Sequence, residues 1–172
     1  MKMFQSGLTL VEMMIVVLLI GLLALMASPL TGNWVNGARV SESLGAMEQA
    51  VGQAKAAALR NPAAIQGAEA ASAICLSADG VLSVKPAKPA AASNAAVPAN
   101  CDSASPAPLW STRLPGGVAI KIGAQAWSCS CFTNKALLTN SGTACGACGN
   151  SLELTISSGS GSGLEYETLT FH

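Results

Sequence analysis

Residues 8–27, LTLVEMMIVVLLIGLLALMA, are apolar at almost every position. Twenty helical residues span about 30 Å, the thickness of a bilayer core. The run TGNWVNG follows Pro29; its glycines and asparagines are poor helix formers and predict a local unwinding or kink. A second helical pattern then begins. Val40, Leu44, Met47, Val51, Ala54 and Ala58 recur at steps of four and three, a narrow apolar stripe on one helix face. Arg39, Glu42, Glu48, Gln49, Gln53 and Lys55 largely fill the rest. The helix should stop before Pro62, because the residue preceding a proline is pushed out of the helical region. From Leu8 to Arg60 it would be about 80 Å long if continuous. The stripe suits packing on the chain's own sheet, with a coiled-coil partner as the alternative.

Beyond Pro62 the period shortens. Ala73–Leu76 and Val81–Val84 are strand candidates, with a turn signal in Ser77-Ala78-Asp79-Gly80 between them. Residues 85–109 hold five prolines and many alanines, too few large apolar side chains for a core, and predict an irregular surface loop. Strand-like runs return at Gly117–Gly123, Gln125–Phe132 and Leu152–Ile156; in the last, Leu152, Leu154 and Ile156 share a face. Residues 157–163, SSGSGSG, form a turn, and Leu164–Phe171 can pair back as a hairpin. The order predicts an α+β fold, a long N-terminal helix laid across an antiparallel sheet of four to six strands.

Charge narrows the function. Of the 172 residues 10% are charged, and the net charge is zero. Lys85, Lys88, Arg113, Lys121 and Lys135 are scattered, which argues against nucleic acid. The one histidine is His172, the last residue, so a Ser-His-Asp or Cys-His catalytic pair has no material unless His172 folds back. Asp79 belongs to its turn rather than to a calcium site. Trp110 and Trp127 suit the head core. Trp34 suits a membrane-interface anchor or packing between subunits. No catalytic residue, cofactor or metal is expected.

One charge is out of place. Glu12 sits near the start of the apolar run, and no charge follows it before Arg39. A carboxylate at membrane depth costs about 2.5–3.5 kcal/mol and usually has a partner. The segment offers no Lys or Arg, so the partner must come from another chain or from a new amino terminus made by proteolysis. A secretory signal peptide leaves Glu12 unexplained and lacks both a long basic leader and a clean small-residue cleavage site, though Ala24–Ala27–Ser28 is a weak one.

Gly7-Leu8-Thr9-Leu10-Val11-Glu12 resembles the cleavage and methylation motif of type IV prepilins and type II secretion pseudopilins. The resemblance implies a cut after Gly7 by prepilin peptidase and N-methylation of Leu8. It pairs the Glu12 carboxylate with the terminal amine of a neighbouring subunit during assembly. Leu8 departs from the phenylalanine commonest at that position. Gly21 and Pro29 match two helix-weakening positions of the family's anchor; one adds backbone freedom and the other removes a donor. A weaker resemblance to FimT/GspH-type minor pilins rests on the order of helix, Ala-rich stretch, Ile-Cys strand and Asp-Gly turn.

The resemblance implies a pilin fold: leader 1–7, membrane-spanning and filament-core helix 8–29, amphipathic helix 30–61 on the head, and a β-rich head 62–172. It implies a minor pilin of a type IV pilus, not an enzyme, first in the inner membrane with its head in the periplasm, then in the pilus at the cell surface. Its partners would be other pilin subunits, the peptidase and the inner-membrane assembly platform. The alternatives are a type II secretion pseudopilin and, in another class, a membrane-tethered periplasmic binding module.

Cys75, Cys101, Cys129, Cys131, Cys145 and Cys148 all follow the anchor. Their CxC and CxxC spacings could bind zinc or run thiol chemistry in a cytosolic protein. Outside the cytoplasm disulfides are expected, with fifteen possible pairings. If residues 127–132 and 144–149 run antiparallel, Cys129 faces Cys148 and Cys131 faces Cys145, leaving Cys75 with Cys101.

Overall fold

The computed structural model describes residues 9–91, 95–102, 106–141, 145–146, 148–149 and 153–170; within these, the side chains of 26–31 and 162 are not described. One helix, α1 (Leu10–Arg60), runs unbroken through the TGNWVNG stretch where the sequence predicts a kink. Tertiary contacts there outweigh weak propensity. The Asn36 side chain donates to the Gly163 carbonyl (3.0 Å), and the Ser158 hydroxyl lies 3.4 Å from Asn36 Oδ1. The helix ends at Asn61, which adopts a left-handed conformation (φ 39°) and donates its N–H to the Ala57 carbonyl. The Asn61 side chain also holds the chain leaving the helix, bonding both the N–H and the carbonyl of Ile65.

Two antiparallel sheets follow where one was expected. The first contains β1 (Ser72–Leu76), β2 (Val81–Pro86), β3 (Trp110–Arg113), β6 (Cys129–Phe132) and β7 (Leu138–Thr139), in the order β3-β2-β1-β6-β7. The second contains β4 (Val118–Ile122), β5 (Gln125–Ala126), β8 (Glu153–Ser158) and β9 (Glu165–Thr170), in the order β5-β4-β8-β9. The run Gln125–Phe132, expected as one strand, breaks between β5 and β6 and passes from one sheet to the other. At the crossing, the Trp127 N–H bonds the Ile120 carbonyl on one side and the Ser128 carbonyl accepts from Leu76 on the other. Trp127 is buried there, its indole N–H donating to the Ser130 hydroxyl (2.9 Å).

The core lies between α1 and both sheets. Val40, Ser43, Met47, Ala50, Ala54, Ala57 and Ala58 form the buried helix face, with Leu44 and Val51 packed at its margin. Opposite them lie Ile74, Leu82, Val84, Phe132, Leu154 and Ile156. The alanines let the backbones approach: the Ser72 hydroxyl on β1 donates directly to the Ala54 carbonyl at 2.7 Å. Leu154 and Ile156 face inward as their alternation requires, while Leu152 lies outside the described residues.

The expected Asp-Gly turn joins β1 and β2, with Gly80 at φ 73°. Past the end of β2 the described residues of the Pro/Ala-rich segment are mostly irregular; Lys88 and Val97 form a bridge, and Ala87 and Ala99 anchor the segment in the core.

Candidate assembly site

The N-terminal half of α1 projects from the head. Thr9 caps it, its hydroxyl accepting from the Glu12 N–H at 3.3 Å. Glu12 thus occupies the first turn, where a negative charge complements the exposed N–H groups of the helix end. Every described side chain from Leu10 to Leu25 is exposed, Leu10 and Leu25 each at 76%. Water tolerates contiguous apolar patches of only a few hundred Å², and a helix apolar all round calls for lipid or other helices as its surroundings. Among the described residues no helix is long and apolar enough to cross a membrane. The part of the expected 8–29 span whose side chains are described, Leu10–Leu25, covers about 24 Å at 1.5 Å per residue.

Gly7 and Leu8, the expected cleavage and methylation positions, lie outside the described residues. Gly21 sits in open space on the exposed helix: nothing lies within 4 Å of where a Cβ would be. Pro29 falls within the backbone of α1, which is continuous across both positions. The Glu12 carboxylate has no ionic partner among the described residues, and the first cation after it along the chain is Arg39, about seven helical turns on. An acid in an apolar sheath without an internal cation is chemically suited to a cation brought by a second molecule.

The cysteines build the other cluster. The pairs are Cys75–Cys101, Cys129–Cys148 and Cys131–Cys145, with Cα separations of 5.6, 4.8 and 6.2 Å, and none is left free. The pairing coincides with the one the register argument gives, but its premise fails. Residues 145, 146, 148 and 149 form a turn and bend rather than a strand, and Gly149 touches β6 through its N–H, which donates to the Cys129 carbonyl at 3.0 Å, and through its carbonyl, which accepts from the Ser130 hydroxyl at 3.3 Å. The flanks of β6 are taken by β1 and β7. The sulfurs of Cys101, Cys129 and Cys148 lie within 4.8 Å of one another, as do those of Cys131, Cys145 and Cys148. That proximity would suit a metal if thiolates were available, but sulfurs joined in disulfides are not thiolates.

A cleft of about 900 Å³ opens at the far end of α1, between Arg60 and the β6–β7 hairpin. Two of its hydroxyls bond the protein itself: Thr139 donates to the Ala68 carbonyl, and Thr133 accepts from the N–H groups of Lys135 and Leu137. In the same lining Asn134 Oδ1 is buried without a hydrogen-bond partner among the described residues. Trp127 is core as expected, Trp110 is half-buried on β3, and Trp34 is 78% exposed. Sequence reasoning missed the Thr9 cap and the Asn36 tie to the second sheet. Asn36 gives no local signal, because its partners are more than 120 residues away.

No curated protein and no solved structure matches this chain. Its N-terminal segment does match a family: residues 2–28 carry the prokaryotic N-terminal methylation motif, the prepilin signal shared by type IV pilin-like proteins and pseudopilins.

Proposed function

We propose that this chain is a structural subunit, a minor pilin of a type IV pilus. It is made as a precursor, held in the inner membrane by its N-terminal helix with the head in the periplasm, cut after Gly7 and methylated on Leu8. It then assembles with other subunits through the projecting half of α1. The observation that carries this reading is the conjunction of the methylation motif at residues 2–28 with an exposed apolar stretch of helix, Leu10–Leu25, whose one charge is Glu12. The disulfide-stapled head supports it, since disulfides persist in oxidising compartments beyond the inner membrane. The role is structural: the clusters on the head hold the fold rather than react.

In assembly, the apolar sheath of α1 exchanges lipid for neighbouring helices, and the Glu12 carboxylate meets the amine of a neighbour's first residue. Such a buried pair adds little net stability, but removing one partner strands the other charge at a cost of about 3–5 kcal/mol. Glu12→Ala should therefore leave processing intact and abolish incorporation into filaments. The measurement is N-terminal mass analysis together with immunoblotting of sheared filaments and membranes. A mature chain beginning at Leu8 with a methylated amine is expected. A chain beginning near Ser28, or a Glu12→Ala chain that assembles normally, would overturn the proposal. Loss of type II secretion with pili intact would assign the chain to the pseudopilins instead.

A further inference from the structure

We infer that the groove between α1 and the outer edge of β9 receives a lysine or arginine side chain from an adjoining subunit. This rests on the assembly reading above and deepens it by naming what the head contributes.

The groove holds about 530 Å³ and is lined by Asn33, Trp34, Gly37, Ala38, Ser41 and Glu165. Gly37, Ala38 and Ser41 lie three, four and seven residues after Trp34, so they share its helix face, and their short side chains make the floor. Trp34 borders that floor and is 78% exposed. Glu165, the first residue of β9, forms the opposite wall. β9 is the last strand of its sheet, paired only with β8 among the described residues.

The chemistry of this lining selects its occupant. Among the described residues Glu165 is the one charged residue in the groove. The nearest cation in sequence, Arg39, turns away: its guanidinium lies 3.6 Å from where a Cβ on Gly117 would sit. An anion would meet the Glu165 carboxylate and the negative face of the indole together. A purely apolar side chain would strip water from the carboxylate without replacing its hydrogen bonds. A Lys or Arg satisfies every part at once. Its methylene stem covers the small-residue floor, and its cationic head is held between the indole face and the carboxylate.

Position identifies the donor. Trp34 lies 22 residues beyond Glu12 on the same helix, about 33 Å along the axis, where the exposed apolar half gives way to the head. A subunit whose helix packs along Leu10–Leu25 brings its own surface to this groove. Glu12 and Glu165 would then be two separate acidic receptors for one neighbour or two.

The test compares Trp34→Ala, Trp34→Phe, Glu165→Gln and Glu165→Lys in cells, with Glu12→Ala as the assembly control. Readouts are the chain recovered in sheared filaments relative to the membrane pool, and a mass check that all three disulfides form. Trp34→Ala should lower recovery about tenfold, the equivalent of a partly desolvated cation–π contact of about 1.4 kcal/mol, and Glu165→Gln should lower it too by removing the anionic wall. Glu165→Lys should lower it further, and Trp34→Phe less than Trp34→Ala. Wild-type recovery for Glu165→Lys and Trp34→Ala while Glu12→Ala abolishes assembly would overturn this inference and spare the assembly reading.

A binding measurement works independently of filaments. The indole N–H resonance of Trp34 in the detergent-solubilised full chain is followed while Nα-acetyl-arginine amide is added. It should shift, and the shift should vanish in Glu165→Gln and with the uncharged Nα-acetyl-norleucine amide. An equal response to both probes, or none to either, would overturn the inference.

Discussion

Replacing Cys75 and Cys101 together by alanine isolates what one cross-link contributes to the head. The pair closes a loop of 26 residues that spans β2 and most of the Pro/Ala-rich segment. In the chain-entropy account, freeing a loop of that length in the unfolded state costs the folded state about 3.5 kcal/mol. Native contacts decide whether that loss is felt globally. Ala87 and Ala99 are buried in the core, the Ala99 N–H bonds the Ala70 carbonyl at 2.8 Å, and Lys85 Nζ reaches the Asp102 carbonyl at 2.9 Å. The segment is thus part of the cooperative unit, and the variant should lose most of the 3.5 kcal/mol. At roughly 3 °C per kcal/mol for a domain of this size, the midpoint should fall by about 10 °C. The assay is thermal and urea unfolding of the full chain in detergent, followed by near-ultraviolet circular dichroism. A loss below about 1 kcal/mol, with the urea slope reduced, would mean that the segment detaches on its own. That result would refute the claim that Ala87 and Ala99 tie it to the core.

Two further substitutions probe the helix contacts. Ala54→Leu forces a branched side chain into a fully buried site where the Ser72 hydroxyl already touches the helix carbonyl, and should cost about 2–4 kcal/mol from overpacking and the lost bond; urea unfolding reads it, and an unchanged midpoint would disprove the tight helix–sheet approach. Gly159 has φ 95°, and a Cβ there would collide with the Gly163 carbonyl and lie 2.6 Å from Asn36 Nδ2. Gly159→Ala should therefore destabilise by at least about 1–3 kcal/mol and speed amide exchange in β8 and β9; wild-type protection of those strands would refute it.

The strands that sequence makes legible are those with a rhythm. Val81–Val84 and Leu154–Ile156 alternate, and their inward residues are buried. β3 has no such rhythm: Trp110 is followed by Ser111, Thr112 and Arg113, and only its register against β2 makes it a strand. β7 is two residues long and exists because β6 offers it an edge. The division into two sheets turns on Trp127 and Ser128, whose partners Ile120 and Leu76 belong to different sheets. No period in the sequence encodes that. The helix over residues 31–37 follows the same rule, since distant hydrogen bonds overcame a local preference for unwinding. At the assembly site, Glu12 is legible because a charge in an apolar run is costly wherever it folds. The Trp34–Glu165 groove is not, because its two walls come from opposite ends of the chain.

All six cysteines serve the sheet that contains β1 and β6, or the segments crossing it, whereas β4, β5, β8 and β9 carry none. Under axial pull delivered through α1, the two halves of the head would respond unequally. Covalent bonds hold the end of β1 with β2, and β6 with β7, inside the closed loops 75–101 and 129–148, while β3 lies in the unbridged stretch between them. The other half resists through hydrogen bonds and side-chain packing alone, so the β8–β9 hairpin is where the head would yield first. A head built this way would peel at the β8–β9 edge before the stapled strands give way.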